Sequence, residues 1–317
     1  MGWLTSARMT LSCAILLGCC LPWSALSQGH AGVLELRLAN DRYRLLGVSD
    51  RYFTNGLYAS FLAPEWGAKP LLGKGRFELR DLFLPFGSRS AQTWWGFGAE
   101  HQIFSPANIH QPLPPSRDYP YAALFLFHFS QEKLQPGVWN EQQIRFGALG
   151  AIAFGEELQK LAHSIVGVAE PIGWENQLQN QAVLQARWTS RYWTNRSGGF
   201  PLIPGMYSRV DAGTLWNTAE GGLWLSLGRL PFHSFSRSGP FSVGLFAQVG
   251  ARAVLSNGLF RQLEDDLLRR LLLCGETCVE IQFRGVAVRV FQHMQSPEFE
   301  SAYAHAWGGL ALRFTQL

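Results

Sequence analysis

From about residue 30 onward the chain alternates apolar and polar residues with a period of two, in segments punctuated by Gly, Pro, Asn and Ser. Period two marks strands whose two faces meet different surroundings, and segments of about ten residues match the ~9–11 a tilted strand needs to cross a bilayer. Gln181 to Tyr192 is the clearest case. Gln181, Gln185, Arg187, Thr189 and Arg191 share one face with Val183, while Ala182, Leu184, Ala186, Trp188 and Tyr192 share the other with Ser190. The first face suits a watery lumen and the second suits lipid, with Trp188 and Tyr192 near an interface.

Similar segments recur at Leu34–Ala39, Leu57–Leu62, Thr93–Phe104, Tyr121–Phe129, Gln143–Phe154, Gly221–Leu227, Phe241–Leu255, Val279–Gln292 and Tyr303–Phe314. With connections allowed for, they predict an all-β fold, a transmembrane antiparallel β-barrel of about 12 strands, an even number being usual. A soluble sandwich or lipocalin-like barrel also alternates, its apolar face forming the core. Composition favours the membrane: 16% of residues are charged against a usual value of about 25%, and 12 Trp and 22 Phe are more than one small core easily hides. After the N-terminal segment no run of about 18 apolar residues occurs, so no spanning helix is expected.

Residues 1–27 read as a secretory signal peptide, with Arg8 the only charge, an apolar run from Leu11 to Leu21 and a small-residue cleavage site at Ala25-Leu26-Ser27. A lipoprotein site at Leu16 to Cys19 is the rival reading, against which Leu17 is bulky. Residues 28–317 then form one barrel domain. Of five cysteines, Cys13, Cys19 and Cys20 fall in the signal, leaving Cys274 and Cys278 as a disulfide closing a small loop or as two thiols. The formal charge of +4 is too weak and scattered for nucleic acid.

Two stretches break the alternation. Glu156 to Val166 has good helix formers between Gly155 and Gly167, which predicts a short external helix. Arg261 to Leu273 is a second helix candidate in an external loop.

Several residues there carry chemistry. Gln159 and His163, four apart, share a helix face that can aim an imidazole from a fixed platform; a surface or lumen histidine is the plainer reading. Asn40-Asp41 ends the first strand and Asp50 to Gly56 precedes the second, so the two clusters converge at one rim with oxygens suited to calcium; turn chemistry explains the same residues. His128 and His305 read as lumen filling. Local signals for a serine nucleophile, a zinc protease or a phosphate loop are absent.

Taken together, the residues resemble the outer-membrane lipid A 3'-O-deacylases, in ordered blocks over most of the chain: LANDRY from Leu38 and DRYFTNG from Asp50; HQIFSP from His101 and RDYPYAA from Arg117; GEELQKLAH from Gly155 and GVAEPIGWENQLQN from Gly167. The C-terminal strand agrees in character, although the chain ends on Leu317 rather than an aromatic residue. The resemblance implies a 12-stranded barrel with its active site between the wall and a short helix. It further implies His163 as base, Asn40, Asp41, Thr54 and Gln159 around it, and calcium or another divalent cation near Asp41 and Asn40. Lipid A of lipopolysaccharide would be the substrate, outer-membrane lipids the surroundings, and the chain a monomer. One departure stands out. The family's lysine after the Ser-Pro of the second block is missing: Asn108 to Gln111 follow Ser105-Pro106-Ala107, and His110 or Arg117 is the nearest substitute. A non-catalytic barrel, serving as a pore or lipid-binding relative, and an outer-membrane phospholipase are the competing functions.

Overall fold

The computed structural model describes residues 32–43, 52–64, 83–84, 91–112, 118–167, 169–194, 202–228, 241–262 and 267–315. The signal segment, Asp50, Arg51, Arg117, Glu264 to Asp266 and Leu317 lie outside the described residues. Among the described residues twelve strands close into an antiparallel barrel: β1 (Val33–Asn40), β2 (Tyr52–Ala63), β3 (Gln92–Ser105), β4 (Ala122–Gln135), β5 (Val138–Leu149), β6 (Gln181–Trp193), β7 (Leu202–Gly213), β8 (Trp216–Gly228), β9 (Phe241–Asn257), β10 (Leu271–Phe283), β11 (Val286–Gln295) and β12 (His305–Thr315). Each pairs with its chain neighbours, and β1 closes on β12 in register from Val33↔Thr315 to Asn40↔Gly308. Closure leaves no unpaired strand edge, which hydrocarbon would not tolerate. Among the described residues no helix is long and apolar enough to span a membrane.

The faces follow the alternation. On β6, Val183, Gln185, Thr189 and Arg191 are buried inside while Ala182, Leu184, Ala186 and Tyr192 face out, exposed. Ser190 is outward yet buried, because it donates to Asn140 Oδ1 at 2.6 Å and accepts from the Trp188 indole at 3.0 Å. A polar group on a lipid face needs such local partners.

Ion pairs line the lumen. Arg313 meets Glu35 at 2.9 Å, Arg289 meets Glu280 at 2.8 Å, Arg252 meets Glu220 at 2.8 Å, Arg187 meets Asp211 at 2.8 Å, and Arg145 pairs with Glu100. Removing one partner of such a buried pair costs about 3–5 kcal/mol, since the other charge is then left uncompensated. The network surrounds a cavity of about 440 Å³. Over its outer mouth Tyr119 stacks on Tyr52 at 4.2 Å and sets its edge on Phe260 at 4.9 Å, with Phe299 5.2 Å from Phe260. His128 stacks with Tyr58 and His305 with Trp307, both inside the barrel as lumen filling.

The structure corrects four readings. Val279–Gln292 is two strands, because Arg284 (φ 43°) and Gly285 (φ 85°) make a two-residue turn joining β10 to β11. Two successive positive φ values give the twist a tight hairpin needs, and Arg is a weak signal for them. β7 was not among the predicted segments, since Pro204 and Gly205 read as punctuation; Gly205 is there because any Cβ would strike the Trp224 ring. The second helix candidate fails, as Leu271 to Leu273 already pair with β9 and Leu271 and Leu273 join the outward apolar belt. Finally, Cys274 and Cys278 are free and lie four residues apart on one face of β10. At ~3.3 Å rise per residue their Cα atoms are about 13 Å apart, beyond the ~7 Å reach of a disulfide.

A lumen filled by ion pairs under an aromatic cap should not conduct. In planar bilayers the folded protein is expected to leave conductance at baseline; stable single-channel steps would contradict this packing.

Candidate active site

The start of β1, the end of β12 and the two-residue turns at Pro136-Gly137 and Arg284-Gly285 share one end of the barrel, so the opposite end, which carries the helical connection, faces the exterior. At that outer end β2 departs from regular pairing. The register with β3 shifts between Phe53 and Asn55, which makes Thr54 the extra residue of a bulge. Bulges re-aim side chains, and this one points Thr54 to the outer face, where its hydroxyl meets Ser105 Oγ of β3 at 2.5 Å. Asn40, last residue of β1, donates from Nδ2 to the Thr54 carbonyl at 2.5 Å and accepts the Arg42 N–H on Oδ1 at 2.8 Å. Asp41 follows, 2% exposed. Asn55 stands beside them with a buried Oδ1 that has no hydrogen-bond partner among the described residues. Residues 52 to 56 were expected to precede the second strand; they belong to it.

The second half of the site is the connection from β5 to β6. It runs through a 3₁₀ turn (Ala151–Ala153) into helix α1 (Gly155–Val166), then a 3₁₀ turn at Trp174–Asn176. Phe154 enters α1 in the left-handed region, φ 56°, and Gly167 leaves it at φ 73°, donating its N–H to the His163 carbonyl at 2.9 Å. A glycine after the last turn is the usual way to satisfy these carbonyls. The helix seats on the outer wall of β3 and β4, where Ile103, Tyr121, Ala123, Ala153 and Trp174 form a buried cluster with Leu158 against it. Gly155 is required at the contact, since a Cβ would run into Ala123 and the Trp174 ring.

The segment after α1 is locked by its own sequence. Trp174, 1% exposed, donates its indole N–H to Gln159 Oε1 at 2.8 Å; Gly173 lies too close to the Tyr121 ring for any side chain; Leu178 N–H bonds the Tyr121 carbonyl at 2.9 Å; and Asn180 Oδ1 accepts the Ile152 N–H at 3.0 Å. Tyr121 in turn donates to the Ile109 carbonyl at 3.2 Å. Burial pushes its phenol up to about 12, so the donor stays protonated. Ile172 N–H and Asn176 Nδ2 bond the Ile109 and Pro112 carbonyls, tying this segment to the connection between β3 and β4.

His163 sits in the last turn of α1, half-buried, with Nδ1 2.5 Å from the Ala169 carbonyl. A carbonyl can only accept, so Nδ1 carries the proton and Nε2 keeps a lone pair. Two groups on β3 connect the halves. His101 donates from Nε2 to the Ala153 carbonyl at 2.7 Å beneath the helix, and Ser105, four residues on along the same outward face, holds Thr54. Asn40, Thr54 and Ser105 are thus joined directly, Gln159 anchors Trp174, and His163 is fixed through Ala169. His101 and Ser105 were not expected as site residues. The signal for them was present, since β3 alternation puts both on the lipid side, where a polar side chain is anomalous. His110 is exposed on the connection between β3 and β4, with its N–H on Asn108 Oδ1 at 3.0 Å.

The family described as Outer membrane protein LpxR matches residues 10–316. The chain belongs to this family of outer-membrane proteins. LpxR from Salmonella typhimurium superposes with a TM-score of 0.71 at 18% identity, covering 89% of this chain and 99% of that one. The shared fold with that LpxR therefore outlasts most of the sequence. The β domain of the Bordetella autotransporter BrkA (TM-score 0.45, 8% identity, 90% and 99% covered) and the NalP translocator domain of Neisseria meningitidis (0.40, 9%, 98% and 96%) are more distant. No curated protein sequence matches the chain.

The Trp174–Gln159 bond should govern how firmly an LpxR-family helix sits on this wall. Trp174→Phe keeps an aromatic ring in the site, though a smaller one, and leaves the buried Gln159 carboxamide oxygen without its donor, which alone costs about 1–3 kcal/mol. Hydrogen exchange of the α1 amides is expected to speed up while barrel amides stay protected. Unchanged α1 protection would contradict the anchoring role.

Proposed function

We propose that this protein is an outer-membrane esterase that removes the 3'-linked acyloxyacyl group of lipid A. The observation that carries the reading is His163. Its tautomer is set by the Ala169 carbonyl, leaving Nε2 as the acceptor, on a helix seated against the lipid side of β3 and β4, and β3 is the strand whose Ser105 holds Thr54.

In this reading Nε2 of His163 takes a proton from water as the water oxygen attacks the ester carbonyl. The tetrahedral centre then collapses, the C–O bond to the sugar breaks, and the imidazolium returns the proton to the departing alkoxide. One water is consumed, giving a free acid and an alcohol. The Nδ1–H bond to Ala169 holds the ring in one orientation through both proton transfers. Gln159 acts through Trp174, fixing the helix that carries His163.

The oxygens of Asp41, Asn40, Thr54 and Asn55 are hard donors with one carboxylate among them, and the buried Asn55 Oδ1 without a donor fits a calcium ion there. When bound, such a cation supplies positive charge toward the carbonyl oxygen as it becomes anionic. The family's missing lysine leaves less cationic charge for the lipid A phosphates, which is expected to alter substrate choice rather than remove hydrolysis.

The test is to express the chain in a strain making hexa-acylated lipid A, extract the lipid and take mass spectra. A loss of one acyloxyacyl group is expected, diminished by calcium chelation and absent in His163→Ala, with heat-modifiable gel migration verifying folding of both. Unaltered lipid A beside a folded barrel would overturn the deacylase reading. A mass loss surviving in His163→Ala would overturn the assigned base.

A further inference from the structure

Helix α1 and the residue before it carry exposed apolar side chains along one flank, beside the face seated on the wall. Phe154, Leu161 and Ile165 are 62%, 48% and 46% exposed, and Ile152 and Ile172 flank them, also exposed. Leu161 and Ile165 are one turn apart on one flank. At 3.6 residues per turn, His163 lies about 200° around from each. The far flank is polar, with Lys160 paired to Glu156 at 2.7 Å. An external connection standing in water would not carry such a ridge without cost.

We infer that α1 is an interfacial anchor whose Phe154, Leu161 and Ile165 insert among the acyl chains of the surrounding leaflet. The occupant follows from continuity. Directly below the helix the outer wall is already a lipid surface: Phe127 of β4, Phe146 of β5 and Leu184 of β6 are exposed and mutually in register. From Phe127 the same outward face of β4 runs through Phe125 to Ala123, which touches the helix base beside Gly155. The ridge on α1 therefore extends the barrel's apolar belt without a polar break. A helix with one apolar and one charged flank lies in the headgroup boundary with its apolar side down.

The consequence rests on the esterase reading: with that flank down, His163 on the opposite flank is held at the headgroup boundary, where the ester bonds of a glycolipid lie. The anchor itself does not depend on that reading, and it would hold equally in an inactive protein.

The test places a nitroxide at Leu161→Cys, Ile165→Cys, Glu156→Cys or Leu184→Cys in a Cys274→Ser, Cys278→Ser background, reconstituted in phosphatidylcholine bilayers. Labels at 161 and 165 are expected to collide with oxygen over a water-soluble nickel chelate as the label at 184 does, and the label at 156 to show the reverse preference. Labels at 161 and 165 behaving like 156 would overturn the anchor, whether or not the protein turns over lipid A. For the placement of His163, Leu161→Asp with Ile165→Asp is expected to lose turnover of bilayer-embedded lipid A and keep it on detergent-dispersed lipid A. Equal turnover of the two substrates would overturn the link between anchoring and turnover.

Discussion

Every backbone N–H and C=O that crosses hydrocarbon must find a partner within the protein, and in this chain that demand is met by β1 closing on β12. The remaining features follow from closure. Once the register is fixed, each residue's face is fixed too, because a slip of one residue would turn every side chain to the wrong surroundings. Arginines and carboxylates are thereby collected inside, where they neutralise one another in pairs, and leucines, valines and phenylalanines are turned to the lipid. The lumen becomes a structural core of ion pairs, closed outside by stacked aromatic rings.

The same constraint explains where the candidate chemistry lies. Polar side chains on the lipid face are expensive unless something covers them. His101, Ser105, Thr54 and Asn40 stand on that face, and the 3₁₀ turn and helix after β5 form a wall over part of it. Cover and chemistry are built together: His101 bonds the carbonyl of Ala153 beneath the helix, while Gly155 and Gly173 let the covering chain approach Ala123 and Tyr121 at contact distance. In the proposed mechanism the imidazole of His163 belongs to the cover, while Asn40, Thr54 and Ser105 belong to the wall.

Much of this was legible in the chain because the period-two pattern is strong where lumen and lipid differ most. Gln181 to Tyr192 was assigned face by face, and the helix from Glu156 to Val166 was placed by its flanking glycines. Failures occurred where local signals carry two meanings. Pro204 and Gly205 interrupt β7 without ending it, and Arg284 adopts a positive φ that its type rarely signals. The two cysteines look like a disulfide on spacing alone, and only strand geometry separates them. Thr54 is oriented by a bulge, a one-residue excess on β2 relative to β3, which no reading of β2 by itself contains. Likewise, Ser105 and His101 acquire meaning only once the helix is known to cover β3. Motif resemblance supplied His163, Asn40, Asp41 and Thr54 as a set; the chain's own alternation put Asn40 and Ser105 on the outward face.

The central claim is that the reacting ester sits on the lipid side of the wall, under α1, and not in the lumen. A structure of the His163→Ala protein with a lipid A analogue bound would address it most directly. The account predicts the ester carbonyl between α1 and β3, close to Asn40, Thr54 and the vacated imidazole position. An ester carbonyl lodged in the central cavity among Arg187, Arg191 and Glu220 would contradict it.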